Sequence, residues 1–157
     1  MPTNWWFEVL KLLLQLAGAY VVARHTVRWA LSRYKAEKTW ERQLGAYSDV
    51  VSALGEMRII VGIWIDELEL GNSPAEEARK DRASRYRSAR RRVEDGTAIA
   101  RLIMCSQAAD RLTDLLRKFE LMEGSELDYT RVLQIEWKEL TEALDELIAC
   151  GRTELKL

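Results

Sequence analysis

Residues 5–23 run for nineteen positions without proline, and most of their side chains are apolar. As a helix this stretch is roughly 28 Å long at about 1.5 Å per residue, close to the hydrocarbon thickness of a bilayer. Trp5 and Trp6 stand at one end, where indoles favour the headgroup layer, and Arg24 and Arg28 stand at the other. The Lys/Arg excess lies after the segment, which predicts a single-pass membrane protein with its N-terminus outside and its C-terminus in the cytoplasm. No small-residue cleavage pattern stands out, so residues 1–28 are expected to form an uncleaved signal anchor and residues 29–157 a cytoplasmic domain.

The segment also carries Glu8, Lys11 and Gln15. With Gly18 they follow steps of three, four and three, so on a helix all four share one edge. Trp6, Leu10, Leu13, Leu14, Ala17 and Val21 fall on the opposite side, which suits lipid. A lysine near mid-helix costs about 2.5–3.5 kcal/mol to insert, and polar groups at such depth usually face a bundle interior or a wet cavity. Two explanations stay open: a Glu8/Lys11 pair that snorkels to the interface, or an edge turned toward other copies of the chain. In the second, Gln15 hydrogen-bonds between helices, Gly18 permits close approach, and Glu8, Lys11, Gln15 and Gly18 line a narrow pore. A helix lying flat in the interface, or one buried in a soluble complex, are further alternatives.

Beyond Arg24 no breaker interrupts the chain until Glu69, so the anchor is expected to continue as one helix. Trp40, Leu44, Tyr47, Val51, Leu54, Val61, Ile65 and Leu68 alternate steps of four and three, with Arg58 the single polar member, in the manner of a heptad seam. "GNSPAEE" then predicts a stop at Gly71 and Asn72 and a new start, with Ser73 as N-cap, Pro74 at N1 and Glu76 completing a capping box. A second helix is expected from Pro74 to about Glu94, bearing Ala75, Ala78, Tyr86, Ala89 and Val93 inward. "TAIARLIMC" adds helix beyond Gly96, and Ser106 caps a third helix reaching about Glu120. "MEGSE" reads as a turn. The last helix is expected from about Leu127 to Cys150, with Val132, Ile135, Leu140, Leu144, Leu147 and Ile148 inward and Gly151 as its stop. The fold class is therefore all-α: a transmembrane helix continuing into an antiparallel four-helix bundle.

The net charge of −1 conceals a partition. "ARKDRASRYRSARRRVE" holds Arg79, Lys80, Arg82, Arg85, Arg87, Arg90, Arg91 and Arg92, whereas residues 106–157 carry twelve acidic groups against seven basic ones. Arginine outnumbers lysine seven to one in the basic run, which favours bidentate contacts with phosphate or carboxylate. Arg79, Lys80, Arg87, Arg90 and Arg91 are the candidate binding residues for an anionic ligand, a nucleotide or an oligonucleotide. The competing expectation is a solvated face paired with the acidic last helix. Glu139, Glu142 and Asp145 on that helix read as such a solvated face.

One histidine, His25, leaves little for histidine-based hydrolysis or zinc chemistry, and no phosphate loop or nucleophile elbow appears. Cys105 and Cys150 stand in no metal-ligand spacing and are expected as reduced structural thiols. Neither an enzyme, a cofactor nor a metal site is expected.

"WERQLGAYSDVVSALGEM" (residues 40–57) and the closing "GRTELKL" resemble stretches in bacterial single-pass membrane proteins of about this length. The layout is similar to that of membrane effectors of antiphage defence, among them the channel subunit of Hailong-type systems. That resemblance implies a homo-oligomeric channel, held shut or opened by a nucleic-acid-like ligand. It covers the layout and two short stretches, and no gating residue can be matched. The expected partners are the membrane, further copies of the chain (a tetramer or larger) and an anionic ligand. A membrane-tethered scaffold that recruits a cytoplasmic protein, without a pore, is the alternative.

Overall fold

The computed structural model describes residues 5–124 and 126–156, and four helices account for nearly all of them. They are α1 (Trp5–Leu70), α2 (Glu76–Ile103), α3 (Ser106–Glu123) and α4 (Tyr129–Leu155), with no strand among the described residues. The chain divides into two units, Met1–Glu41 and Arg42–Leu157. The first four residues of the expected anchor (1–4), Ser125 of the expected "MEGSE" turn and Leu157 lie outside the described residues.

The continuity expected of the first helix holds, since α1 runs unbroken for 66 residues. Within the first unit it is long and apolar enough to cross a membrane, and none of that window is buried. Within the second unit α1 buries Tyr47, Val50, Ala53, Leu54, Met57, Ile60 and Val61. The expected seam is thus half right. Tyr47, Leu54 and Val61 belong to it, but the positions between them are Val50 and Met57 in place of Val51 and Arg58, while Trp40 and Leu68 are exposed. The shift by one residue takes Arg58 out of the seam and puts Met57 into it, which burial of apolar area favours at about 25 cal/mol per Å².

α1 stops at Gly71, whose φ of 64° is the left-handed conformation that glycine adopts without strain. The Asn72 N–H donates to the Glu67 carbonyl at 3.0 Å and the Gly71 N–H to the Leu68 carbonyl at 3.4 Å, the paired bonds of a Schellman stop. The predicted capping box does not form. Helix α2 begins two residues later, at Glu76, because Ala75 with ψ of 142° is still non-helical and takes the cap position, which has no side-chain cap. Glu76 and Glu77 supply the negative charge that a helix start favours.

Three further boundaries differ from expectation. The second helix does not end near Glu94 but runs through Gly96 to Ile103; a Cβ at Gly96 would lie 2.5 Å from Cγ2 of the buried Val50, so glycine lets α2 approach α1. Cys105, not Ser106, caps α3, its sulfur accepting from the Ala108 N–H at 3.4 Å. Gly151 is no stop, for α4 continues to Leu155 and Gly151 lies buried, with the Tyr47 ring 3.3 Å from where its Cβ would be. Along α4 the inward face is Leu133, Glu136, Leu140, Ala143, Leu144 and Leu147, so Val132 and Ile135 sit at its margin and Ile148 is exposed. Ala75 and Ala78 are likewise exposed, and Thr97 and Ala100 join Ala89 and Val93 in the core.

Gly96→Ala is expected to lower the thermal unfolding midpoint. Overpacking costs on the order of 1–3 kcal/mol, against roughly 1 kcal/mol gained in helix propensity. Gly45→Ala, whose added methyl meets no heavy atom within 4 Å, is expected to raise it. Circular-dichroism melts of the two variants check this, and a rise in both would show that α1 and α2 do not touch at Val50.

Candidate functional site

In the first unit Glu8, Lys11, Gln15 and Gly18 all lie on α1 and are all exposed. No ion pair joins Glu8 to Lys11 among the described residues, so the edge is polar and unpartnered within the chain. A Cβ at Gly18 would meet nothing within 4 Å, which makes the helix smooth at that point.

In the second unit the arginines of α2 sort themselves by direction. Arg82 pairs with Glu67 of α1. Arg85 reaches Glu56 of α1 at 3.1 Å, and Arg92 pairs with the same carboxylate. Arg90 pairs with Glu94 at 3.2 Å and with Glu123 of α3. The acids that neutralise the basic helix therefore come mainly from α1 and from α2 itself, with Glu123 of α3, not from the last helix as expected. Of the five candidate ligand residues, Arg90 is already committed and only 23% exposed. Lys80 has a 3.5 Å contact with Glu76 at the surface, a pair of little energetic weight. Arg79, Arg87 and Arg91 are exposed and without an ion pair among the described residues. Lys80, Arg87 and Arg91 share one edge of the helix, whereas Arg90 lies a quarter-turn inward.

The carboxylates of α4 also depart from expectation. Glu139 is largely buried and accepts from Arg111 at 3.2 Å and from Lys118 at 2.9 Å. Arg111, 10% exposed, additionally faces Asp114 at 3.6 Å, Glu142 at 3.7 Å and Glu146 at 3.3 Å. The Glu146 contact is an ion pair whose angle makes no hydrogen bond, leaving the Arg111 Nε unbonded. Burial pushes Glu139 upward, but the hydrogen bonds from Lys118 and Arg111 outweigh it and hold its pKa below the usual carboxylate range. Asp145 stays exposed, as expected of a solvated face.

A polar knot ties three helices. The Tyr47 hydroxyl donates to Glu154 at 2.7 Å, and Glu154 also accepts from Gln43 and from the Cys105 N–H, both at 3.0 Å. Burial, then hydrogen bonds to Cys105 and Glu154, push the Tyr47 phenol up. The two cysteines, 45 positions apart in the sequence, are neighbours here. Burial and the Cys105 thiol push Cys150 up to about 11, so it stays protonated at neutral pH.

Sequence reasoning missed one site altogether. A cavity of about 170 Å³ is lined by Trp64, Tyr86, Arg90, Phe119, Tyr129 and Glu136, so every helix contributes. A second cavity of about 340 Å³ shares Trp64 and Tyr129 with it and includes Arg79. Glu136 is 9% exposed and accepts from the Tyr86 hydroxyl, and burial pushes its pKa up to about 7. The signal was available: between Leu133 and Leu140 an acid occupies an inward position of the helical period.

No protein-family profile, no curated protein and no solved structure matches the chain.

Glu136 makes stability depend on pH. Its folded pKa lies above the unfolded value of about 4.5, so the folded chain holds a proton that the unfolded chain releases between about pH 4.5 and 7. Its contribution is complete below that window and is lost as pH rises through about 7. Glu136→Gln is expected to melt like the parent near pH 4.5 and to be more stable at pH 8, by on the order of 3 kcal/mol. Melts across pH 4.5–8 that run parallel for both proteins would refute it.

Proposed function

We propose that the chain is a homo-oligomeric membrane effector, an ion channel or pore regulated by an anionic ligand. In this reading α1 crosses the bacterial inner membrane with its N-terminus outside, and α2–α4 close with the end of α1 into an antiparallel four-helix bundle in the cytoplasm. The observation that carries the reading is the edge formed by Glu8, Lys11, Gln15 and Gly18. It lies in a span-length apolar helix, fully exposed and with no intrachain partner among the described residues. Hydrocarbon disfavours such an edge by several kcal/mol. Sister copies remove that cost by covering it: Gln15 bonds across helices, Gly18 lets backbones approach, and the charged groups at 8 and 11 meet water along an axis.

Arg79, Arg87 and Arg91, with Lys80, supply the ligand site. The three arginines form no ion pair among the described residues and Lys80 only a surface contact with Glu76, and an assembly multiplies them into a basic ring suited to the phosphates of a nucleotide or oligonucleotide. Antiphage defence as the setting rests on the resemblance of residues 40–57 and the closing heptapeptide. A tethered scaffold without a pore is favoured instead by one observation: Ile99 and Leu102 stand exposed three residues apart on α2, Leu102 at 86%, as a docking edge for another protein would. A monomer or dimer in mild detergent supports the scaffold, since no ring then forms.

Lys11→Leu and Gln15→Leu are each expected to cut dye efflux from loaded liposomes several-fold, and undiminished efflux in both removes the pore. Arg87→Glu combined with Arg91→Glu is expected to weaken binding of a single-stranded oligonucleotide more than ten-fold at moderate salt. Undiminished binding clears α2 of that role.

A further inference from the structure

Among the described residues Glu136 is the only charged residue that is buried, and no cation within the chain pairs with it. The carboxylate accepts one hydrogen bond, from Tyr86, although a carboxylate offers about four acceptor positions. Arg90 lines the same cavity but does not reach it, because its guanidinium is held by Glu94 and Glu123. A buried carboxylate with no cation is costly, and a neutral residue of the same shape would relieve that cost.

The walls around it are aromatic. Trp64 of α1 and Tyr86 of α2 have ring centroids 5.2 Å apart at an interplanar angle of 46°, and Phe119 of α3 and the exposed Tyr129 of α4 add further ring surface to what is a cleft open to solvent on one side. Ring faces carry negative charge density and attract cations, most strongly where water is excluded. The titratable groups at the cavity are Tyr86 and Arg90 from α2, Glu123 from α3, and Tyr129 and Glu136 from α4, while α1 adds only Trp64. Among the charged groups that line the cavity Arg90 offsets Glu123, which leaves the one negative charge of Glu136 to be met. At about 170 Å³ the cavity is below the 300–1,000 Å³ typical of drug-sized ligands and too small for a nucleotide, which sets it apart from the anion site above.

We propose that this cavity binds a small alkylammonium ion, with its charge on Glu136 and its methyl groups against Trp64, Tyr86, Phe119 and Tyr129. The site does not depend on the pore or on the exposed arginines of α2. Since only the ionised carboxylate attracts a cation, binding strengthens with pH. For an acid titrating near pH 7 the ionised fraction rises about ten-fold between pH 6 and pH 8.

The test is isothermal titration calorimetry of tetramethylammonium chloride into the full chain in maltoside detergent, with sodium chloride at matched ionic strength as reference. Saturable heat is expected with tetramethylammonium and not with sodium. Its affinity should be about ten-fold higher at pH 8 than at pH 6, and lost in Glu136→Gln. Trp64→Leu, which leaves the carboxylate in place, should weaken binding at least ten-fold. The proposal is overturned by an absence of saturable heat at pH 8, by equal binding of sodium, by affinity flat across pH, or by undiminished binding in a folded Glu136→Gln. Should Glu136→Gln not fold, the pH dependence of the parent and the Trp64→Leu result decide in its place.

Discussion

Everything in the second unit closes on one apolar surface, the face of α1 that carries Tyr47, Val50, Leu54, Met57 and Val61. Full burial of a side chain of this size contributes about 1.5–3 kcal/mol, and these side chains join residues of α2, α3 and α4 in a single hydrophobic cluster. Two glycines set how closely the neighbours approach. Gly96 admits Val50 and Gly151 admits the ring of Tyr47, so backbone proximity, not side-chain bulk, determines the fit at both points. Tyr47 then does a second job: its hydroxyl meets Glu154, which also holds Gln43 and the start of α3. Gln43 and Tyr47 of α1 thus meet Gly151 and Glu154 near the end of α4 directly.

Charge is arranged so that each helix is neutralised by particular neighbours. The α1-facing arginines of α2 are held by Glu56 and Glu67, Arg90 is held by Glu123, and the acids of α4 surround Arg111 and Lys118 of α3. Partly buried pairs such as Arg82–Glu67 and Arg111–Glu139 act as registers: removing one partner strands the other charge, which costs more than the pair contributes. After these pairings the residual positive charge of the basic run lies at Arg79, Arg87 and Arg91, the last two on one edge of α2 and Arg79 about a quarter-turn away. The residual negative charge inside lies at Glu136. One is accessible to a polyanion; the other sits behind aromatic rings.

Much of the architecture was legible in the sequence because it rests on period and punctuation. The helical class, the unbroken first helix and the stop at Gly71 follow from spacing and from one left-handed glycine. What failed was local chemistry overridden by contact. Ser73, Pro74 and Glu76 have the composition of a capping box, yet Ala75 is non-helical, so the helix starts at Glu76 and Ser73 stands too far ahead of it to cap. Gly151 looks like a terminator because glycine commonly is one, but here it serves close packing inside α4. The seam of α1 was misplaced by one residue at alternate positions, since a 3-4 pattern fits Val51 as well as Val50 until a partner helix selects between them. The cavity at Glu136 needs residues from all four helices and is invisible to any reading along one of them. The arginines were identified as a group, but which of them stay free depends on acids as far away in sequence as Glu56 and Glu123.

The polar edge of the first helix presents a different kind of constraint, one that no residue of the same chain satisfies among those described. A lipid-facing Gln15 would leave amide donors and acceptors without partners, whereas a Gln15 facing its own copies would have them. Disulfide trapping at position 15 tests this most directly: a Gln15→Cys chain with Cys105 and Cys150 replaced by serine is oxidised in native membranes and resolved on a non-reducing gel. Covalent dimers in high yield at position 15, together with low yield from a cysteine at Leu13 on the opposite side, are the predicted result. Monomer at both positions, with a spin label at position 15 reporting hydrocarbon, would contradict an edge turned toward sister copies.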